Sequence, residues 1–498
     1  MNALSRRSAC PALSAPMQTG DGLLVRLNPV AGGLAPKSLI GLGESALRHG
    51  NGIMEVTARG SLQIRGLTAE SARLLAAEVD ALGIAVRTGV PVESGPLAGI
   101  DPREIADPRP LAERIQIAIE EGELTARLGP KVSVVVDGGG QLTMDAVAAD
   151  VRLKAVRAGA NVQWGVSVAG DAGSARPLAT VDADAARDMA VAGLRMVAEK
   201  GREAHTRDLS ERQLASLAGW HSFAPPSVLP EISPSRGEID QSPVSPITDA
   251  EKVRHTYTFV REAPPAELPI SPLEGEMSGR TEGGAVERHH SPVGLFHLHT
   301  SHALGIGLPF GSMPAQNLIG LATQALHLGS AEIRLAPGRA VLFVVLSPAA
   351  SALLQATAAT LGFVTDASDP RTRIAACPGM PACASGRIAT RAIAETIATE
   401  CADLFDTSLT LHISGCAKGC AHPGAAALTL VGDENGAGLV VDGTAKALPA
   451  GYRPGYDAAR GVAGILAAVR AQRHQGETAA ACLARLRAAG IAELYRRN

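Results

Sequence analysis

The sequence predicts an α+β protein built twice over, and three observations carry that prediction. Strand-like apolar runs alternate with segments of helical spacing. One strand–helix–strand–helix unit recurs in the second half of the chain. Two close cysteine pairs sit late in the sequence, the second just beyond a predicted strand.

The first unit reads in order. Gly22-Leu-Leu-Val-Arg-Leu27 is a strand, and Asn28 to Gly33 is turn-like. Leu39, Ile40, Leu42, Ala46 and Leu47 place a helix from Pro36 to His49, stopped by Gly50-Asn51-Gly52. Ile53 to Thr57 and Leu62 to Ile64 read as strands about a short turn, and Thr68 to Leu82 as a second helix. Such a unit makes a small ferredoxin-like half-domain. It returns: Leu39-Ile-Gly-Leu42 matches Leu318-Ile-Gly-Leu321, and at the same offset Ala46-Leu47 matches Ala325-Leu326, Gly50 matches Gly329, and Val56 matches Leu335. A constant offset through these positions marks a duplication, with halves at roughly 16–200 and 291–490.

Each half runs on into an α/β segment. Lys131-Val-Ser-Val-Val-Val136 is a buried strand ending in Asp137-Gly-Gly-Gly140, and Leu409 to Ser414 is its counterpart, leading into Gly415-Cys416. The glycine run lacks the G-x-G-x-x-G spacing of a dinucleotide site and reads as a tight turn. The expected domains are 1–90 and 291–365 (ferredoxin-like), 91–205 and 366–498 (α/β), with a Pro-, Ser- and Glu-rich linker or insert at 206–290 to which no chemistry is assigned.

Bulk properties narrow the function. Lys and Arg total 46 against 49 Asp and Glu, and no long basic run occurs, so a nucleic-acid partner is not expected. No stretch approaches the roughly 18 apolar residues of a membrane span. The N-terminal arginines Arg6 and Arg7 are not followed by the apolar run of a secretory signal, so a cytoplasmic location is expected.

Of seven cysteines, four form the pairs Cys377-Pro-Gly-Met-Pro-Ala-Cys383 and Cys416-Ala-Lys-Gly-Cys420. In a reducing compartment such pairs read as metal ligands or redox thiols. Four thiolates suit a [4Fe–4S] cluster. A structural zinc site is the alternative, disfavoured by the five-residue gap, and redox or unrelated thiols are a third reading. Cys10, Cys401 and Cys482 read as free thiols.

The C-x5-C … C-x3-C pattern, with His412-Ile-Ser-Gly-Cys-Ala-Lys-Gly-Cys420, resembles the siroheme sulfite and nitrite reductases. Thr57-Ala-Arg59-Gly-Ser-Leu-Gln63 and Leu128-Gly-Pro-Lys131 are similar to two further elements of that family. The resemblance implies an internally duplicated nitrite/sulfite reductase-like architecture. Ser133 stands where sulfite reductases carry a second lysine, Ser61 replaces their usual Asn, and Ala336-Pro-Gly-Arg339 replaces a clean Thr-x-Arg. Loss of a cation weakens the case for a sulfite reductase.

Arg7-Ser-Ala-Cys-Pro-Ala-Leu13, Gly20-Asp-Gly-Leu-Leu-Val-Arg26, Gly305-Ile-Gly-Leu-Pro-Phe-Gly311 and Cys377-Pro-Gly-Met-Pro-Ala-Cys-Ala-Ser-Gly386 resemble the precorrin-3B synthase family of aerobic cobalamin biosynthesis. That resemblance implies a monooxygenase that uses dioxygen to hydroxylate precorrin-3A at C20 and closes a γ-lactone. It further implies a mononuclear non-haem iron, for which His297 and His299, at period-two spacing on one face of an expected strand, and His302 and His422 are the candidate ligands. NADH is the expected ultimate reductant, and since no nicotinamide fingerprint is present an electron-donor protein is expected to deliver its electrons. A siroheme-dependent reductase and a non-catalytic iron–sulfur or zinc protein remain as alternatives. Arg26, Arg59, Arg65 and Lys131 are the candidate partners of the tetrapyrrole carboxylates, because guanidinium and ammonium groups suit such acids.

Overall fold

The computed structural model describes residues 11–30, 33–219, 291–402 and 405–497. In the first half these are β1 (Met17–Thr19), β2 (Gly22–Leu27), β3 (Gly33–Leu34), α1 (Pro36–His49), β4 (Ile53–Val56), β5 (Leu62–Leu67) and α2 (Ala69–Ala81). There follow β6 (Val92–Ser94), α3 (Arg109–Glu121), β7 (Val134–Asp137), β8 (Ala149–Ala158), β9 (Asn161–Gly170), β10 (Arg176–Val181), α4 (Ala183–Lys200) and α5 (Glu211–Gly219). The second half repeats the plan with β11 (Gly294–His297), β12 (His302–Gly307), β13 (Ser312–Pro314), α6 (Ala315–His327), β14 (Glu332–Ala336), β15 (Ala340–Leu346) and α7 (Pro348–Thr360). It closes with β16 (Ile374–Ala376), α8 (Thr390–Glu400), β17 (Leu411–Ser414), β18 (Ala426–Asp433), β19 (Gly436–Gly443), β20 (Gly451–Arg453), α9 (Ala458–Gln472) and α10 (Ala479–Arg497).

Among the described residues four five-stranded sheets result. Two are ferredoxin-like, ordered β1-β2-β5-β4-β13 and β11-β12-β15-β14-β3. Each takes its last strand from the other half: Met313 pairs with Met54, and Leu34 with Ile333. The segment read as turn-like up to Gly33 therefore ends in a strand lent across the duplication.

The recurring Leu-Ile-Gly-Leu motif has a physical reason. Leu39, Leu42 and Ala46 of α1 and Leu318, Leu321, Ala322 and Ala325 of α6 share one buried core, at helical spacing. A Cβ on Gly43 would stand 2.5 Å from Cγ1 of Ile319, so glycine lets the two helices approach.

The two α/β sheets repeat one another too. β6, β7 and β8 run parallel and β9 and β10 antiparallel; β16, β17 and β18 run parallel and β19 and β20 antiparallel. Val134 and Leu411 thus occupy equivalent places, each flanked by parallel neighbours.

Two expectations need correction. The segment 206–219 is not linker: α5 buries Leu214 and Leu217 in the core of the first α/β domain. The remainder, 220–290, lies outside the described residues, as does Cys10. His297 and His299 do not share a strand face, because β11 ends at His297; instead His297 pairs across the hairpin with His302, their rings 4.9 Å apart. Among the described residues no helix is long and apolar enough to cross a membrane.

Candidate redox and carboxylate site

Both cysteine pairs emerge at the carboxyl ends of adjacent parallel strands, where α/β sheets present their loops to ligands. Cys377 follows β16 directly, and Cys416 follows β17 after Gly415. The loops meet back to back through glycines: a Cβ on Gly415 would lie 3.1 Å from Cα of Gly386 and 3.2 Å from Cα of Gly379. Gly379 also holds a left-handed backbone, φ 61°, that glycine adopts without strain.

Further bonds fix the loops. The Gly415 N–H donates to Sγ of Cys377 at 3.2 Å, and the Arg387 N–H to the Gly415 carbonyl at 2.8 Å. Cys377 is buried, Cys383 and Cys416 are half-buried, and Cys420 is exposed as a residue. Desolvation of its sulfur nevertheless pushes the Cys420 thiol up, helped by the neighbouring thiols of Cys377, Cys416 and Cys383. The other three thiols therefore lie within electrostatic reach of Cys420. Among the described residues no three His, Cys, Asp or Glu side chains converge closely enough to grip a single metal ion. Metal–thiolate bonds of about 2.3 Å to one zinc would need that convergence. The arrangement could hold a larger, polynuclear group, and the Gly415 N–H already donates to one of the sulfurs that would carry it, that of Cys377.

The same finding bears on the candidate histidines. His297 and His302 sit on the β11–β12 hairpin, whereas His422 lies beside His412, ring centroids 5.7 Å apart. They do not assemble into a single-ion site.

Two hairpin turns carry arginines to the two α/β domains. The β4–β5 and β14–β15 turns touch, Gly338 N–H donating to the Ala58 carbonyl at 2.9 Å. From the first turn Arg59 reaches the first α/β domain, donating to the Ala148 carbonyl (2.7 Å), Glu93 (2.9 Å) and Ser133 Oγ (3.0 Å). Its side chain keeps 40% of its surface exposed. Lys131 stands two residues before Ser133 and is exposed. From the second turn Arg339 donates to the Ala421 carbonyl at 2.6 Å, one residue past Cys420. Burial, with Arg391 close by, pushes its guanidinium down to about 10.

Arg65 departs from the expected role. Its guanidinium is buried, donating to both Asp21 oxygens (3.0 and 2.9 Å), to Glu55 at 3.4 Å and to the Ala382 carbonyl at 2.7 Å. It fastens the Cys377–Cys383 loop rather than facing a cleft. Glu55 extends the network to Arg391 of α8 at 2.5 Å. With the Gln63 amide nitrogen turned to Glu55, its oxygen accepts from Arg26 at 2.8 and 3.0 Å, so Arg26 is engaged there too.

Comparison with known proteins places this geometry. Residues 15–82 match the nitrite/sulfite reductase ferredoxin-like half domain. The chain is 36% identical to a precorrin-3B synthase from Sinorhizobium sp, over 98% of this chain and 95% of the relative. The chain belongs to the precorrin-3B synthase family. Membership makes it an enzyme of cobalamin biosynthesis. The solved structure of the Mycobacterium tuberculosis NirA protein superposes with a TM-score of 0.65, covering 94% of this chain and 84% of that one, at 18% identity. At that identity the likeness shows the fold, and it is the duplicated fold described above.

Sequence reasoning missed Glu55, Arg391, Arg339 and His412. Arg339 carried a signal, closing the Ala336-Pro-Gly-Arg339 element, and so did His412, standing four residues before Cys416 on a predicted strand; Glu55 and Arg391 carried none.

Proposed function

We propose that the chain hydroxylates precorrin-3A at C20 with dioxygen and closes a γ-lactone, acting in the cytoplasm. The observation that carries this reading is the relationship to a precorrin-3B synthase over nearly the whole of both chains. Cys377, Cys383, Cys416 and Cys420 fit a [4Fe–4S] cluster: they supply four thiolates, glycine-lined loops and a backbone N–H already directed at Cys377 Sγ. When bound, the cluster supplies single electrons to the site. NADH is the ultimate reductant, acting through a donor protein. Among the described residues the candidate histidines do not fit a mononuclear iron site.

The chain's own residues bind and orient. Arg59 and Lys131 take carboxylates of the tetrapyrrole rim, Arg59 with the N–H groups that Ala148, Glu93 and Ser133 leave over. Glu93 and Ser133 hold the Arg59 fork in place before substrate arrives. Ser133, in hydrogen-bond contact with Arg59, leaves no second lysine to concentrate charge on a small oxyanion such as sulfite.

The test is anaerobic purification, iron and sulfide analysis, then incubation with precorrin-3A, dioxygen and a reductant. A broad brown absorption without Soret bands, and a hydroxylated lactone by mass, are expected. Turnover of sulfite or nitrite by a siroheme-loaded protein, with precorrin-3A untouched, would overturn the reading.

A further inference from the structure

Two polar groups beside the Cys416–Cys420 loop lack a counterpart. His412 lies fully buried in β17, between Ala375 of β16 and Thr429 of β18, and neither ring nitrogen has a hydrogen-bond partner. Its ring edge passes under the loop, since a Cβ on Gly419 would lie 3.8 Å from His412 Cε1. The Arg339 guanidinium has the Ala421 carbonyl and, among the described residues, no carboxylate. Arg391, another cation, lies near it and disfavours its charge. A desolvated guanidinium without an anion and an imidazole without partners are both unfavourable, and such groups persist where something else completes them.

The duplication supplies an internal control. β7 and β17 hold equivalent positions, so His412 stands where the first half has Val135, which packs with Met144, Val147 and Ala149. The fold is content with valine there. The first half's turn also carries an arginine, Arg59, one position before the Gly60 that matches Arg339, and it has Glu93 at 2.9 Å. The imidazole therefore appears, and the acid disappears, in the half that carries the cysteines.

We propose that Arg339 and His412 are the counter-charge and buried hydrogen-bond donor for an anionic metal–sulfur group on the Cys416–Cys420 loop, and that they ease its uptake of an electron. This rests on the reading that the four cysteines hold a [4Fe–4S] cluster. One-electron reduction makes and breaks no bond and moves no proton; it takes the cluster with its four thiolates from dianion to trianion. A cation and an N–H donor stabilise the trianion more than the dianion, which raises the potential. Both act through the cysteine loop and are positioning residues.

The experiment compares full-length wild type with Arg339→Gln, Arg339→Lys and His412→Val, each analysed for iron and sulfide. Each is then titrated anaerobically with dithionite, whose sulfur dioxide radical anions give one electron apiece and become sulfur dioxide. None of the replacements at 339 is β-branched, so the left-handed backbone there, φ 66°, takes no added strain of that kind. Arg339→Gln and His412→Val should keep the cluster and titrate at a lower midpoint potential, and Arg339→Lys should stay near wild type. Should Arg339→Gln fail to load, His412→Val decides alone, because valine is the residue the other half uses. Loaded variants with the wild-type potential would overturn the proposal. Wild type without iron and sulfide would instead overturn the cluster reading beneath it.

Discussion

The Arg65 guanidinium donates to the Ala382 carbonyl at 2.7 Å, joining the first ferredoxin-like sheet to the loop between Cys377 and Cys383. Its other bonds go to Asp21 and Glu55, and Glu55 in turn holds Arg391. Burial pushes Asp21 up, but hydrogen bonds from Arg65 and Thr19 outweigh it and hold the carboxyl below its usual range. In the second sheet the positions equivalent to Gln63 and Arg65 are Leu342 and Val344, which share a core with Leu97 and Leu142, while Arg334, at the Glu55 position, pairs with Glu332 and donates to the Pro96 and Ala98 carbonyls. The two sheets thus use one fold for different ends, the first to hold the Cys377–Cys383 loop and the second to hold the segment around Leu97.

Arg65→Met should therefore be costly. It leaves Asp21 and Glu55 with less compensation in a site where the arginine side chain is only 4% exposed. Removing one partner of a buried pair costs about 3–5 kcal/mol, so the urea midpoint should fall sharply and the Cys377–Cys383 loop should loosen. A loss below about 1 kcal/mol would show that the network contributes little beyond contact.

Replacing any one of Cys377, Cys383, Cys416 or Cys420 by Ala should bleach the brown chromophore and lower iron and sulfide together. Cys482→Ala is the control, since that thiol is buried in α10 among apolar neighbours and should leave metal content unchanged. Full iron and sulfide in all four loop variants would remove these residues from the site.

How much of this was legible beforehand depends on range. Pro36–His49 and Gly22–Leu27 fall where helical spacing, the glycine stop and the apolar run place them. The duplication was readable because α1 and α6 pack on each other and so keep the same apolar positions. The exchange of β3 and β13 was not readable, since a two- or three-residue edge strand carries too little pattern to declare its partner. The cysteine pairs were visible through spacing. Arg65 was misjudged because its partners, Asp21, Glu55 and Ala382, come from three separate segments, one of them more than three hundred residues away. His412 sat in plain view, but only comparison with Val135 in the folded duplicate shows that its position does not require a polar side chain.

Glu104 gives stability a pH dependence. Burial pushes its carboxyl up to about 7, opposed by the Gly99 N–H, which donates at 2.8 Å, and assisted by Asp107 and Asp101. A folded value above the unfolded 4.5 means the native state binds the proton more tightly, so stability falls as pH rises from about 4.5 to about 7, then levels off. Glu104→Gln keeps an acceptor for Gly99 and removes the titration. The difference in unfolding free energy between about pH 5 and pH 8 should shrink by about 1 kcal/mol, after allowance for partial exposure. Equal slopes for wild type and variant would exclude Glu104 as the titrating group.

Arg59 and Lys131 carry the substrate reading, and the structure makes their test clean. Arg59 is 40% exposed, and without it Glu93 still has Arg87 at 4.0 Å, so Arg59→Ala should cost little stability. A charge-assisted hydrogen bond to a carboxylate contributes about 1.5–3 kcal/mol, which predicts roughly ten- to a hundredfold weaker precorrin-3A binding for Arg59→Ala, and the same for Lys131→Ala. Arg59→Lys should recover only part of the loss, because an ammonium lacks the planar set of donors that lets Arg59 stay on Glu93 and Ser133 while reaching a substrate carboxylate. Anaerobic titration followed by tetrapyrrole absorbance measures the affinity, and the cluster spectrum recorded alongside should not change. Unaltered affinity in both alanine variants would sink the assignment and move the search for the carboxylate partners elsewhere in the molecule.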